Sequence, residues 1–321
     1  MKTPSVIDLD RIRSVLPEID LLAEMKSGFI AYSRGDCIIP PVGELIIDEA
    51  IHGEVHIKYG YARGGRHYVI KIASGFPGNE VRGISSSNGM MLLFDLETGE
   101  LRTTLLDQGH LTDVRTAAAG ALASLTLAPS EVSCIGILGT GVQARLQLEH
   151  ATRALGCQNA LVWGRNATKV DRFTASLHSG SLAVSSASSV EEVLSRSQVV
   201  ITCTAACEPI IRSEHVQPGT HITAVGSDTP DKQELDADLL AKADLVVVDS
   251  IQQGRLRGEV ARAIDQGAID ESGIIELGSI LDDSGSGRSD DHAITVADLT
   301  GVAVQDLRIA EAVLDRVSAR G

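Results

Sequence analysis

The residues from Gly139 to Ala144 have the types and spacing expected of a loop that binds a dinucleotide. They directly follow the apolar stretch 133–138 and read Gly139-Thr140-Gly141-Val142-Gln143-Ala144. The two glycines permit a tight turn and a close approach of the backbone to a pyrophosphate, and the helix predicted to begin there offers unpaired N–H groups and a positive dipole end. Because the motif lies between a strong strand pattern and a strong helix pattern, it favours nucleotide binding over a turn without ligand.

The residues after the next predicted strand, 160–163, bear on which dinucleotide is bound. An Asp or Glu at this point usually binds the adenosine ribose hydroxyls of NAD. Here the strand is followed by Gly164, Arg165 and Asn166, without a carboxylate. The Arg165 guanidinium suits a 2′-phosphate or stacking on adenine, which favours NADP. The alternative is a solvated Arg165, so the sequence predicts NAD or NADP, with Arg165 and Asn166 at the adenosine end.

Three further polar residues lie where chemistry is possible. Lys71, on an otherwise apolar strand, either lines a site or extends to water. Arg115, near the start of an Ala-rich helix, either clamps a carboxylate through two hydrogen bonds or forms a structural ion pair with Asp113 or Asp107. Asp228 follows an apolar strand, where parallel sheets bind ligands, although Asp also often caps helices.

The elements that must position these residues follow two patterns. The first forty residues are predicted to be helical, and short alternating segments between 43 and 106 predict an antiparallel sheet, followed by a helix over 111–127. From there strands and helices alternate, which indicates a doubly wound parallel sheet. The predicted strands of this part are 132–138, 160–163, 199–203, 221–225, 245–249 and 293–297. The predicted helices between them include 142–155, 169–177 and 189–195.

The sequence therefore predicts an α/β protein of two domains. Residues 117–301 are expected to form the dinucleotide-binding Rossmann-type domain, and residues 1–116 with 302–321 a smaller, discontinuous α+β domain. The acidic stretch 282–291 is expected to be a surface loop.

Composition excludes several classes of function. The formal net charge of −15 disfavours nucleic acid as a partner. No apolar run of 18 residues predicts a membrane span, and the first residues lack the apolar core of a signal peptide, so we expect a cytoplasmic protein. The five cysteines form no Cys-x-x-Cys pair and are interpreted as reduced thiols rather than metal ligands; no metal site is predicted.

Taken in order along the chain, these motifs resemble the ornithine cyclodeaminase/mu-crystallin family, over nearly the whole length. The resemblance rests on five motifs: Lys71 with Pro77-x-Asn79, Leu111-Thr112-x-x-Arg115-Thr116, the glycine loop, Gly226-Ser227-Asp228-x-Pro230-x-Lys232-x-Glu234, and Asp298-x-x-Gly301-Val302-Ala303-x-x-Asp306.

What this resemblance implies is an imine beside a carboxylate as substrate, with hydride exchanged with a nicotinamide. Lys71 and Arg115 would hold the substrate carboxylate, and Asp228 would act in proton transfer or water activation, so Lys71 and Asp228 are the catalytic candidates. The smaller domain would bind substrate and form a homodimer. The family resemblance adds further cofactor contacts at Thr112, Thr204, Val225, Gly226, Thr300 and Gly301.

One stretch bears on the substrate. Alternation along 53–60 places Glu54, His56 and Lys58 on one face of a strand. The basic pair His56 and Lys58 suits an anionic substrate side chain better than the ammonium of ornithine, and the stretch resembles the iminosuccinate reductase branch. The alternative is that both face solvent or the dimer contact.

The leading functional hypothesis is therefore an NAD(P)H-dependent reductase that converts a 2-imino acid, with iminosuccinate as the best candidate, into an L-amino acid. The second is ornithine cyclodeamination to proline and ammonia. The third is a nucleotide-binding protein like mu-crystallin, which the set of Lys71, Arg115 and Asp228 argues against.

Overall fold

The computed structural model describes residues 3–47, 51–177, 182–283 and 287–320. The chain divides into two compact units: unit 1 comprises residues 1–115 with 302–321, and unit 2 comprises residues 116–301. The predicted acidic loop is only partly covered, because residues 284–286 lie outside the described residues. Within the described ranges, no helix has the length and apolar character needed to cross a bilayer.

Unit 1 contains a seven-stranded sheet. Its strands are β1 (Ser5–Asp8), β2 (Cys37–Ile38), β3 (Gly43–Ile47), β4 (Gly53–Ala62), β5 (His67–Gly75), β6 (Ser87–Asp95) and β7 (Leu101–Leu106). The strand order is β1-β7-β6-β5-β4-β2, with β3 also paired to β4. All pairs are antiparallel except β1 with β7. The prediction of a helical region over the first forty residues is wrong at β1 and β2, because their strand partners are distant in sequence and leave no local periodic signal.

Three α-helices lie wholly within the described residues of unit 1, and the last of them is the C-terminal segment, which packs on the sheet. They are α1 (Leu9–Val15), α2 (Leu21–Ser33) and α11 (Ala303–Arg320). α11 packs against α2 and against β4, β5 and β6. It buries apolar residues at helical spacing, among them Val304, Leu307 and Val313, but it also buries Gln305 and Asp306. A buried carboxylate on a core-facing helix requires polar partners.

Unit 2 contains an eight-stranded sheet in which every pair is parallel. Its strands are β8 (Ile135–Leu138), β9 (Asn159–Trp163), β10 (Ala183–Ser186), β11 (Val199–Thr202), β12 (His221–Ala224), β13 (Leu245–Val248), β14 (Ile274–Glu276) and β15 (Thr295–Asp298). The order is β10-β9-β8-β11-β12-β15-β13-β14. The predicted doubly wound parallel sheet is confirmed. The strands β10 and β14 were not predicted, because these two edge strands lack the continuous apolar run that marks a buried strand.

Helices connect these strands, and the chain reverses direction across the sheet after β10. The helices are α3 (His110–Leu127), which begins in unit 1, α4 (Val142–Leu155), α5 (Ala167–Ser176), α6 (Val190–Arg196), α7 (Ala237–Lys242), α8 (Ile251–Gly254), α9 (Gly258–Asp265) and α10 (Leu277–Asp282). From β8 the chain runs outward through β9 and β10, then returns to β11 on the other side of β8. The carboxyl ends of β8 and β11 therefore form a topological switch point, where such sheets bind ligands.

Candidate active site

The glycine loop connects β8 to α4 at this switch point. Gly139 has a φ of +133°, and a Cβ there would lie 2.8 Å from the carbonyl oxygen of Cys203, so a side chain is excluded. Gly141 is the N-cap of α4, and a Cβ on it would meet no described heavy atom within 4 Å. A helix N-terminus that faces open space favours a bound anion. These features fit the pyrophosphate of a dinucleotide.

The end of β9 lies beside the loop. The Gly139 N–H donates a 2.9 Å hydrogen bond to the carbonyl of Trp163, and a Cβ on Gly164 would lie 3.0 Å from Cγ2 of Thr140. Arg165 follows and is exposed. The next residue caps α5 through its side-chain oxygen, which accepts a 3.0 Å hydrogen bond from Lys169 N. The side chain of Asn166 is thus used for capping, whereas exposed Arg165 is able to meet a ligand.

Glu234 joins the carboxyl ends of β11 and β12. Its side chain is fully buried; Oε1 accepts from Thr204 N at 2.6 Å, and Oε2 accepts from Thr202 Oγ1 at 2.7 Å and Gly226 N at 2.9 Å. Burial raises the pKa of Glu234 despite these hydrogen bonds, which lower it. A Cβ on Gly226 would lie 2.3 Å from the Thr204 carbonyl oxygen. Glu234 therefore holds Thr204 and Gly226, two predicted cofactor residues, at one edge of the sheet. Val225, a third, donates its N–H to the Thr202 carbonyl at 3.0 Å.

The turn at Thr300 and Gly301 is fixed by two side chains of the same unit. Asp249 accepts from Thr300 Oγ1 at 3.1 Å and from Gly301 N at 2.6 Å. Gln253 Nε2 donates to Thr300 Oγ1 at 2.8 Å and to the Gly301 carbonyl at 2.9 Å. Gly301 has a φ of +82°, which favours glycine. The turn that follows β15 is thus rigidly held at the carboxyl edge of the sheet.

Asp228 lies in an irregular segment after β12. Its Oδ1 accepts a 2.6 Å hydrogen bond from Lys232 Nζ, and its side chain is 46% exposed. The next helix, α7, is capped by Asp236, so the capping alternative for Asp228 is wrong. An accessible carboxylate beyond the carboxyl end of a parallel strand has the chemistry for proton exchange with a ligand.

In unit 1, Lys71 and Arg115 share one buried carboxylate. Lys71 Nζ lies 3.0 Å from Asp306 Oδ2, and Arg115 Nε lies 3.0 Å from Asp306 Oδ1. Arg115 Nη1 also donates to Gln305 Oε1 at 3.1 Å. All three charged side chains are buried, with 2%, 5% and 0% of the Lys71, Arg115 and Asp306 side chains exposed. Strand β5 and helices α3 and α11 each contribute one of these three residues.

Asp113 and Asp107 were the ion-pair partners expected for Arg115 from the sequence, but the structure pairs Arg115 with Asp306. Asp107 Oδ2 accepts from Leu111 N at 2.8 Å at the start of α3. Thr112, a predicted cofactor residue, is half-buried in the first turn of that helix. The pairing of Arg115 depends on α11, which lies far away in sequence.

The positive charges around Asp306 outnumber the negative charges. Burial lowers the pKa of Lys71 to about 8, Arg115 adds to this effect, and Asp306 opposes it. Burial alone would raise the pKa of Asp306, but the charges of Lys71, Arg115 and Lys58 outweigh it and hold that pKa below its ordinary value. Three cations, Lys58, Lys71 and Arg115, face two carboxylates, Asp306 and Asp107, so a net positive charge is left that a ligand carboxylate would neutralise.

Lys58 and His56 occupy different environments on β4. Lys58 is buried and lies directly opposite Lys71 in the β4–β5 pairing. His56 lies opposite Glu44 of β3, with 3.2 Å between His56 Nε2 and Glu44 Oε1. The predicted basic pair is therefore divided, because Lys58 belongs to the Lys71 cluster whereas His56 is paired with the carboxylate of Glu44.

Sequence reasoning assigned no role to three residues that organise these sites. Glu234 and Asp306 occur in the quoted motifs and Gln305 fills an unspecified position of one, but their spacing alone does not reveal what they contact. The available signal was weak: Gln305 and Asp306 stand within an apolar stretch of a helix, and Glu234 precedes Leu235, which is buried. Buried polar residues in such positions must find partners, but only the fold decides which.

An all-parallel, doubly wound sheet with a glycine loop at its switch point is the architecture of the dinucleotide-binding folds. More particularly, the chain belongs to the ornithine cyclodeaminase/mu-crystallin family, whose model matches residues 7–321.

Several known proteins are similar along the whole chain. An uncharacterized cyclodeaminase of Sinorhizobium fredii is 37% identical, covering 100% of this chain and 98% of its own. An archaeal alanine dehydrogenase, solved as a dimer with bound NAD, has a TM-score of 0.91 and 28% identity over 99% of this chain and 97% of that one. The iminosuccinate reductase of Paracoccus denitrificans, solved with NAD+, has a TM-score of 0.89 and 27% identity over 100% of this chain and 98% of that one.

Proposed function

We propose that this protein is an NAD(P)H-dependent reductase that converts a 2-imino acid into an L-amino acid, with iminosuccinate to L-aspartate as the best candidate reaction. The observation that carries the proposal is the pair Lys71 and Arg115, two buried cations that share the single carboxylate of Asp306. Burying a net positive charge is unfavourable unless an anion joins it. Every 2-imino acid supplies such an anion in its carboxylate.

In this proposal each residue has a separate task. The reduced nicotinamide, when bound, supplies a hydride to the carbon that bears nitrogen, and a proton completes the amine. Lys71 and Arg115 bind the substrate carboxylate and orient the imine, which is where most of the protein's contribution to such a reaction lies. Asp228 exchanges the proton with the substrate nitrogen or with water. Thr204, Gly226 and Gly301 are proposed to line the nicotinamide end of the cofactor.

Lys58 supports a dicarboxylic substrate. It lies opposite Lys71 and adds a third buried cation on the same face of the sheet, which suits a second substrate carboxylate. The similarity to an iminosuccinate reductase points the same way. Because His56 is paired with Glu44, we assign the preference for a second anion mainly to Lys58.

A second candidate is cyclodeamination, in which ornithine is converted to proline and ammonia without net oxidation. The similarity to a protein named as a cyclodeaminase favours it. The two functions differ in the charge of the substrate side chain. The ammonium of ornithine has the same sign as Lys58 and would be repelled by it.

The test compares oxo acids in the presence of ammonia and NADH or NADPH, following loss of the reduced nicotinamide. We expect oxaloacetate with ammonia to be reduced with a higher kcat/KM than pyruvate with ammonia. Lys58→Met should shrink this ratio by roughly 10-fold or more, since a charge-assisted hydrogen bond contributes about 1.5–3 kcal/mol. His56→Leu on the same strand is the comparison variant and should have the smaller effect. A ratio of one or below in the wild type, or rapid conversion of ornithine to proline, would refute the dicarboxylate assignment and favour cyclodeamination.

We also propose that the protein is a homodimer formed through unit 1. The sheet face opposite Lys58 and Lys71 exposes the apolar side chains Leu45, Ile57, Tyr59, Met90 and Leu106. Exposed apolar surface of this kind marks interaction sites. A sedimentation experiment that gives only monomer at micromolar concentration would contradict this assembly.

A further inference from the structure

We infer that Asp306 is a positioning residue, which holds Lys71 and Arg115 as a charged and oriented pair for the carboxylate of the substrate. The inference rests on the function proposed above, because that function assigns the two cations to substrate binding. It adds a residue on the C-terminal helix that contacts no substrate atom in this scheme. This residue instead sets the charge and the orientation of Lys71 and Arg115, which do contact the substrate.

The geometry around Asp306 supports this role. Its two carboxylate oxygens are divided between the cations, with Oδ2 at 3.0 Å from Lys71 Nζ and Oδ1 at 3.0 Å from Arg115 Nε. Gln305 Oε1 accepts from Arg115 Nη1 at 3.1 Å and from Val302 N at 2.8 Å, so the backbone at the start of α11 holds the amide that orients the guanidinium. Successive residues of one helix thus fix the plane of Arg115 from two directions.

Electrostatics gives Asp306 a second task. The charged groups near Lys71 are Lys58 on β4, Arg115 on α3, Asp107 before α3 and Asp306 on α11. Two of these are cations, and burial further disfavours the charged amine. Asp306 is the carboxylate in direct contact with Lys71, so it opposes deprotonation most directly. Without it, Lys71 would lose its proton at a lower pH and would no longer attract a carboxylate at neutral pH.

The test is the titration of Lys71 itself, compared between the wild type and Asp306→Asn. Trace labelling of the full-length protein with acetic anhydride over a range of pH, read on the Lys71 peptide by mass spectrometry, gives the midpoint for this amine without any substrate. The wild-type midpoint is expected at about pH 8. In D306N it should fall by roughly one to three pH units, the range for a lost opposite charge. Above the lowered midpoint, the KM for oxaloacetate with ammonia should rise about tenfold per pH unit.

Asp315→Asn is the matched control. It makes the same substitution on the same helix and removes the ion pair with Arg66, 2.8 Å long and exposed, so the Lys71 midpoint should not move. Asp306→Glu keeps the charge and should keep the midpoint, while displacing the carboxylate and raising KM.

The outcomes separate the inference from the proposed function. A folded D306N with an unchanged Lys71 midpoint would overturn the inference. A lowered midpoint in a protein that reduces no imino acid would support the inference for Lys71 and refute the proposed reaction. If D306N does not fold, Asp306→Glu decides the matter: a raised KM with kcat and the Lys71 midpoint preserved supports positioning by Asp306, and an unchanged KM refutes it.

Discussion

Replacing Lys71 with methionine is expected to stabilise the protein while impairing its use of a carboxylate substrate. The Lys71 side chain is 2% exposed and lies 3.0 Å from Asp306. Its pKa falls from the ordinary 10.5 to about 8, first because of burial and then because of Arg115, even though Asp306 opposes the change. At about 1.4 kcal/mol for each pH unit, this difference corresponds to roughly 3–4 kcal/mol by which the charged amine disfavours the folded state. Methionine has a similar shape and no charge.

The pH dependence has a definite sign. The folded protein binds the Lys71 proton less tightly than the unfolded chain does, so the unfolded state holds more protons between pH 8 and 10.5. The free energy of unfolding of the wild type should therefore gain a contribution that increases with pH across this window. The cost is fully present below about pH 8 and disappears above about 10.5. The advantage of K71M should accordingly be largest at neutral pH and approach zero at the alkaline end.

The assay is urea unfolding of both proteins at several values between pH 6 and pH 10, together with steady-state kinetics at pH 7. Lys26→Met, at an exposed position on α2, is the control and should show no pH-dependent difference from the wild type. The KM of K71M for an imino acid should rise roughly 10- to 150-fold, the equivalent of a lost charge-assisted contact of about 1.5–3 kcal/mol. A K71M protein that is less stable than the wild type at pH 7, or whose difference does not change with pH, would refute this reasoning.

Three other substitutions test the nucleotide unit and the proton-transfer group. Gly141→Val should leave the fold intact, because a Cβ at this position meets no described heavy atom within 4 Å, but should abolish NAD(P)H binding in calorimetry; unchanged affinity would exclude the loop as the pyrophosphate site. Arg165→Ala should weaken NADPH much more than NADH if the guanidinium binds a 2′-phosphate, and equal losses would show that it does not discriminate. Asp228→Asn should lower turnover by roughly 10²–10⁴-fold, as for a lost acid–base group, with nucleotide affinity retained; near-normal turnover would remove Asp228 from the mechanism.

Local sequence signals were sufficient for much of unit 2. Helix α4 begins at Val142 and ends at Leu155 before Gly156, whose φ is +66°, and both limits follow from glycines visible in the sequence. The six predicted strands of this unit correspond to the buried parallel strands, because buried strands have continuous apolar runs. The edge strands β10 and β14 have no such runs. They form because the backbone groups of β9 and β13 are available for hydrogen bonding at the two edges of the sheet.

The candidate site in unit 1 shows what the sequence by itself determined and what only the tertiary structure decided. Residue types identified Lys71 and Arg115 as unusual, since a cation in an apolar strand or an Ala-rich helix needs an explanation. The sequence did not determine their shared partner. Asp306 lies 191 residues beyond Arg115, and it reaches both cations because α11 returns to pack on β4, β5 and β6. Side-chain periodicity specifies which face of a helix is buried, whereas the partner of a buried charge is fixed by the packing of elements that are distant in sequence.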